Sequence, residues 1–342
     1  MSDHQVAGGF SRRSLLAALG TTAAATVAAG AAALPRSAVK TWDVRTDVLV
    51  AGSGAAGVSA AIEARQAGAE VLLIESLARF GGSSAMSGGV IYAGGGTALQ
   101  RALNVEDSVE DMYHFIAEAG GRHPSPDKVQ LYCEESVAHF DWLLDQGVRY
   151  STKLTSAKGL PMGDESLYFS GTEQAWPARE LARPAPRGHV PGVKGMNGGR
   201  RLMQVLLRRA ESLGVNLRAG VAAQQLVVES DGRIAGVLVD SGGERQAIGI
   251  NRGMVLACGG FIHNRTMLEQ YAPQLHACSV PWGNAGDLGA GINMGIAAGA
   301  AALRMHQGFA IAPIYPPENT ISGILVNASG QRFISEESYH GV

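Results

Sequence analysis

The sequence is poor in cysteine, with three in 342 residues: Cys133, Cys258 and Cys278. An odd number without metal-like spacing excludes a disulfide framework and leaves buried thiols as the reading, with no metal site. An excess of charge is also missing. The formal net charge of −2 gives no electrostatic footprint for nucleic acid or for an acidic membrane surface. Internal repeats are absent, and so are long runs of large apolar side chains. The most apolar stretch, residues 15–34, is mostly Ala, which disfavours a stable membrane span. Glycine, by contrast, is plentiful at 46 of 342, about twice ordinary usage. That suits tight turns and backbones that approach a ligand closely. Long apolar-periodic segments separate the glycines, unlike low-complexity disorder. The length is sufficient for two domains.

Residues 1–36 stand apart from the fold. In "SRRSLLAALG" the adjacent Arg12 and Arg13 precede the Ala-rich stretch, and "AAGAAALPRSA" offers small residues to a peptidase. This resembles a twin-arginine export signal, implying a periplasmic or otherwise extracytoplasmic protein. The alternative is an uncleaved Ala-rich helix or plain anchor, with the protein otherwise cytoplasmic. The twin-arginine route carries folded proteins, which suits a chain that must hold a cofactor before export.

Further along, "TDVLVAG" reads as a strand, "AAGVSAAIEARQAG" as a helix stopped at Gly68, and "AEVLLIE" as a second buried strand. A Gly/Ser-rich passage occupies 80–97. Helices are expected near 106–119 and 126–146, and a long Pro/Gly-rich ordered loop over 151–200. A helix over 199–213 leads into "VNLRAGVAAQQLVVE" and a hairpin with an Asp-Gly turn in "SDGRIAGVLVD". "GMVLACGGF" is a buried strand, a helix is expected near 288–299, and a strand at 323–327.

The chemistry begins at "VAGSGAAG", which sets Gly52, Gly54 and Gly57 in G-x-G-x-x-G spacing between strand and helix. Gly52 permits the tight turn, Gly54 lets backbone approach a pyrophosphate, and Gly57 lets helix pack on strand. Ser53, Ala55 and Ala56 complete a small-residue turn at a helix N-terminus, where N–H groups and the helix dipole favour phosphate. Glu75, 23 positions after Gly52, ends the second strand where an acid accepts from ribose hydroxyls, with Ser76 beside it. FAD and NAD share this ADP half, so the fingerprint alone leaves both open.

The following segment, "ARFGGSSAMSGG", resembles the second flavin-contacting segment of the fumarate reductase and 3-ketosteroid Δ1-dehydrogenase flavoprotein superfamily (FAD-binding type 2). The resemblance implies Gly81, Gly82, Ser83 and Ser84 along the pyrophosphate and ribityl chain, and Ser87, Gly88 and Gly89 near the isoalloxazine. It continues in order through residues 46–340. The strand after "GGRRLMQVLLRRAESLG" would bring Ala222 and Ala223 to the ADP moiety. "VLACGGF" would bring Ala257, Gly259 and Gly260 to the cofactor side, and "GDLGAGINMG" would bring Asp287. With no His in 80–97, the implied FAD is non-covalent.

The implied fold is α/β: a GR2-like Rossmann FAD-binding domain over 44–306, followed at 307–342 by the beginning of an inserted α+β substrate-capping domain. The implied reaction moves a hydride between flavin N5 and a carbon–carbon single or double bond next to a carbonyl. Its substrate is a small molecule, such as a steroid-like ketone, and no motif names the electron acceptor. Fumarate reductases of this superfamily carry a His six residues after the Met matching Met305 and an Arg four residues after the Glu matching Glu336. Here Ile311 and His340 stand there, which disfavours a fumarate or urocanate reductase-like reading. Ketosteroid dehydrogenases place a Tyr near Tyr339 and His340. Either residue could move the proton, the phenol needing activation from about 10 and the imidazole lying near neutrality. The alternative is an ordinary exposed connection. Arg187 and His189, in "ARPAPRGHVPG", could reach the active site from the long loop, but basic residues in a Pro-rich loop read rather as solvated. Chains of this superfamily continue past the position matching Val342. A C-terminally truncated, non-catalytic FAD-binding remnant or gene fragment is therefore the second expectation.

Overall fold

In the computed structural model, which describes residues 32–121, 125–155, 159–310 and 323–333, a short strand β1 (Leu34–Pro35) precedes the first long one, β2 (Val44–Ala51). Gly52 turns the chain into helix α1 (Ala55–Gln66), and β3 (Val71–Glu75) returns parallel to β2, Val48 beside Val71 and Ala51 beside Ile74. All of β3 is buried, because a parallel strand is covered on both faces. Beyond the last helical residue, Gln66, the chain turns away at Gly68, whose φ of +83° is open to glycine at little cost.

A side layer follows. Strands β4 (Ile91–Tyr92), β5 (Leu167–Tyr168) and β6 (Gly188–His189) form a small antiparallel sheet with β6 in the middle. Around it lie helices α2 (Ala98–Ala102), α3 (Val109–Ala119), α4 (Pro126–Glu134), α5 (Ser136–Asp145) and α6 (Ala178–Leu181). Helix α7 (Gly198–Ser212) then returns the chain to the main sheet. There β7 (Asn216–Ala219) pairs parallel with β3, while β8 (Val221–Val228), β9 (Ile234–Ser241) and β10 (Glu244–Leu256) form an antiparallel ribbon. Helices α8 (Arg265–Tyr271), α9 (Pro273–His276) and α10 (Ala290–Ala297) complete the main domain.

The seven-stranded order β1-β8-β9-β10-β2-β3-β7 depends on the length of β10. Its first half pairs antiparallel with β9, and it pairs parallel with β2 across a register shift between Ile250 and Gly253. Alternation along β2 then sorts the core. Val50 joins Leu73, Val58, Ile62, Leu202 and Leu206 under α1 and α7. Leu49 joins Leu72, Ile74, Val237, Ile248 and Met294 on the opposite face. Each fully buried aliphatic side chain contributes about 1.5–3 kcal/mol, so both faces anchor the strand ends that carry the site.

Several expectations shift by a few residues for local reasons. The helix expected from 106 starts after Ser108, whose hydroxyl accepts from the Asp111 N–H at 3.0 Å, an N-cap. The helix expected over 126–146 divides at Glu135, where ψ is −1°. The "GMVLACGGF" strand is the second half of β10, which begins at Glu244 after a Gly242–Gly243 turn with both φ values positive. At 323–327 there is an isolated bridge, Val326 to Arg332, rather than a regular strand. Residues 34–36, placed with the leader by sequence, belong to the fold: Leu34 and Pro35 form β1, with Leu34 beside Val227, and Arg36 opens a 3-10 turn that runs to Ala38. No described helix is long and apolar enough to cross a membrane.

The solvated reading of Arg187 and His189 is overturned, because both are 0% exposed. Their Pro-rich segment supplies β6, the middle strand of the side sheet. Arg187 donates to Asp107 through Nε at 3.0 Å and Nη2 at 2.7 Å, a bidentate pair that offsets the cost of burying the charge. His189 Nδ1 lies 2.8 Å from the Arg187 carbonyl, which only accepts, so Nδ1 carries the proton. Nε2 then accepts from the Thr97 hydroxyl at 2.9 Å. Burial pushes the His189 pKa down to about 4, below the unfolded value near 6.5. Between these two values the unfolded chain binds more protons, so this contribution to stability falls as pH drops from about 6.5 to about 4. Urea titrations of His189→Asn should therefore show a smaller loss of unfolding free energy between pH 7 and 4 than the parent. Equal losses would place the acid sensitivity on other groups.

Candidate functional site

Strands β2, β3 and β10 run parallel and adjacent, so the segments after Ala51, Glu75 and Leu256 emerge at one sheet edge. Open α/β sheets bind ligands at that edge. Here it holds a cleft of about 270 Å³, near the roughly 300 Å³ lower bound of ligand pockets.

The floor is the glycine turn. Gly52 has φ +105°, and a Cβ there would stand 2.2 Å from the Ala257 carbonyl oxygen. A Cβ on Gly57 would stand 1.9 Å from the Gly52 oxygen, so Gly57 serves the helix–strand contact and does not line the cleft. Gly54 caps α1 without a side chain, and the first turn carries no acid. The N–H groups of a helix start lack internal partners, which leaves this one suited to an anion. The Ala55 N–H donates to the Ser84 hydroxyl at 3.0 Å.

Glu75 is the acid of the site. It is buried, and both oxygens are engaged. Oε2 accepts from the Ser53 hydroxyl at 2.6 Å and the Ser53 N–H at 3.1 Å. Oε1 accepts from the Leu77 N–H at 3.0 Å and the Ser76 hydroxyl at 3.2 Å. Opposite, Ser83 donates to Asp287 Oδ2 at 2.6 Å and accepts from the Asn284 N–H at 2.8 Å.

Of the residues singled out by sequence, the cleft brings together Gly52, Ser53, Gly54, Ala55 and Ala56 from the turn, and Glu75 and Ser76 from the second strand end. Gly82, Ser83, Ser84, Ala223, Ala257, Gly259 and Asp287 complete that set. Others lie outside it. Gly81 forms a turn with φ +115°. Ala222 alternates with Ala223 along β8 and pairs with Asp240. The Gly260 carbonyl accepts from the Gly289 N–H at 2.9 Å. Ser87, Gly88 and Gly89 pack on the start of α7. A Cβ on Gly89 would meet the Gly198 carbonyl carbon at 2.2 Å, and one on Gly88 would meet Leu160 at 2.8 Å. Tyr339 and His340 lie outside the described residues.

Sequence reading missed Asn284, Gly286, Val221, Ala290 and Cys258, all at the cleft. A turn signal was available for the first two. "GNAGD" is an Asx-turn pattern, and Asn284 Oδ1 accepts from the Gly286 N–H at 2.9 Å. The Cys258 thiol is pushed up to about 11, chiefly by burial and then by Glu75, which keeps it protonated and unreactive. Among the described residues no cluster of three His, Cys, Asp or Glu could hold a metal.

The arrangement suits a dinucleotide. A Cβ on Gly82 would close to 3.4 Å of Gly54 Cα, narrowing the passage where a phosphate backbone would run. N–H groups, hydroxyls and two carboxylates supply partners for phosphates and sugar hydroxyls, and Ala and Gly leave room for a base.

Comparison with known proteins agrees with that chemistry. Residues 47–342 match the family described as FAD binding domain. The 3-oxo-5-alpha-steroid 4-dehydrogenase of Comamonas testosteroni is 30% identical, over 87% of this chain and 64% of its own. A fumarate reductase (cytochrome) of Shewanella frigidimarina is 26% identical, over 85% of this chain and 48% of its own. Among solved structures, the 3-ketosteroid-delta4-(5alpha)-dehydrogenase of Rhodococcus jostii, in complex with 4-androstene-3,17-dione, superposes with a TM-score of 0.84. It is 39% identical, over 91% of this chain and 65% of its own. The chain thus spans just under two thirds of the length of these two steroid dehydrogenases.

The glycine contacts generate a test. Gly57→Ala must displace α1 from the Gly52 carbonyl, a strain of about 1–3 kcal/mol or more, and should be purified without flavin. Gly253→Ala, with nothing within 4 Å of its added Cβ, should retain it. Flavin absorbance of the two purified proteins decides.

Proposed function

The chain belongs to the FAD binding domain family and its cofactor is FAD, and we propose that it serves as an FAD-dependent dehydrogenase acting on a carbon–carbon bond next to a carbonyl. The substrate class is a small steroid-like ketone. The observation that carries this reading is the 39% identity and 0.84 TM-score to a ketosteroid dehydrogenase over 91% of the chain. Similarity to the fumarate reductase is lower in identity and in the share of that protein covered.

In this proposal the first turn of α1, Gly54 and Gly82 hold the pyrophosphate of FAD. Glu75 and Ser76 take the ribose hydroxyls, while Ala223, Ala257 and Gly259 leave space for the adenine. Ser83, Ser84 and Asp287 supply hydroxyl and carboxylate partners on the remaining side. The FAD is held without a covalent bond. When bound, it accepts or releases a hydride. Tyr339 or His340 moves the accompanying proton at the substrate carbon beside the carbonyl.

The chain expressed with FAD should be yellow and release its flavin on heating. It should bleach a redox dye only when a saturated 3-ketosteroid is added. Bound flavin without dye reduction would favour a non-catalytic FAD-binding protein, and a colourless protein would remove the cofactor assignment. We also propose export by the twin-arginine route. Replacing Arg12 and Arg13 by Lys should then hold the protein in the cytoplasmic fraction, and unchanged export would discard that route.

A further inference from the structure

Ser53 borders the cleft, yet it is 0% exposed. The residue lies behind the cleft surface, and its side chain is engaged by Glu75 and Gly81. The hydroxyl has one proton and two lone pairs, and its partners define how they are used. The Gly81 N–H donates to Ser53 Oγ at 2.9 Å, so that contact consumes a lone pair. The proton is left for Glu75 Oε2 at 2.6 Å, a short bond to a charged acceptor. A second bond to the same oxygen comes from the Ser53 N–H at 3.1 Å. Ser53 thus supplies both of the bonds described to Oε2, while Ser76 and Leu77 hold Oε1.

Without the hydroxyl, Oε2 would keep only the backbone bond, and the terminal torsion of a Glu is intrinsically broad. The carboxylate would then sample orientations that the present structure excludes. Nothing in the glycine turn itself demands a hydroxyl at this position, since Ala or Gly would also fit a tight bend. The side chain is therefore explained by what it holds.

We propose that Ser53 is a positioning residue for the adenosine side of the cleft, orienting the Glu75 carboxylate toward the ribose hydroxyls without touching the cofactor. The inference rests on the reading that Glu75 accepts from those hydroxyls. The ligand pair ADP and 2′,3′-dideoxy-ADP isolates that contact, because only the first carries the diol. Binding is measured by calorimetry for the 342-residue chain, Ser53→Ala, Glu75→Gln and the double variant.

Ser53→Ala should weaken ADP binding about tenfold, the loss of one charge-assisted hydrogen bond's worth of orientation, and change dideoxy-ADP by less than twofold. Glu75→Gln should also weaken ADP, and the double variant should bind it no more weakly than Glu75→Gln alone, as expected when one residue acts through the other. Equal losses for both nucleotides in Ser53→Ala, or losses that multiply in the double variant, overturn the positioning role while leaving Glu75 as ribose acceptor. Unchanged ADP affinity in Glu75→Gln overturns the Glu75 reading and this inference together. Ser53→Gly, which adds no bulk, gives the same comparison if the Ala variant does not fold.

Discussion

The structure depends on a steric constraint at the end of β2. Three backbones converge there, the Gly52 turn, the first turn of α1 and the Ala257 end of β10, at separations that exclude a Cβ on Gly52 or Gly57. The Ala257 N–H reaches the Ala51 carbonyl at 2.8 Å, so β10 remains zipped to β2 to the edge of the cleft. Had either glycine carried a side chain, helix and strand would separate and the phosphate-facing N–H groups would lose their place. Fold and site are one packing solution here.

Around that point the chain handles buried acids in two ways. Asp107 is saturated in the side layer, where Arg187, Gln100 and the Gly95 N–H fill its oxygens, and the pair ties the 151–200 segment to the helices. Glu75 is held by hydroxyls and N–H groups, with no cation among those bonds. Hydroxyl partners orient a carboxylate while leaving its charge uncompensated, which suits contact with sugar hydroxyls. A buried carboxylate already neutralised by Arg is a structural fastener. The difference in partners separates a site acid from a core acid more clearly than burial does.

Much of the main domain was legible in local pattern. The βαβ unit, the stop at Gly68, the hairpin turn at Asp231–Gly232 and the cleft residues from Gly52 to Ala56, with Glu75 and Ser76, follow from period, glycine spacing and strand ends, all properties of neighbours in sequence, whereas Gly82, Ser83, Ser84, Ala223, Ala257, Gly259 and Asp287 came from the family resemblance. The 151–200 segment was not legible in this way. Its strands are two residues long, and Pro and Gly usually mark exposed loops. Arg187 and His189 are buried because distant helices cover them, and no local signal reports that cover. The run "SSAMSGG" splits for a similar reason: Ser83 and Ser84 line the cleft, whereas Gly88 and Gly89 are spent on α7.

The sequence by itself settled the dinucleotide turn and the acid at the end of β3. Those depend on backbone freedom and on spacing along one chain. Only the tertiary structure decided that Ser53 faces Glu75 rather than a ligand, that Asn284 bonds to Ser83, and that Arg187 pairs with Asp107. Each of those contacts joins residues 22 to 201 positions apart. Hydrogen-bond geometry at such separations is set by how sheets and helices pack, which no local periodicity encodes.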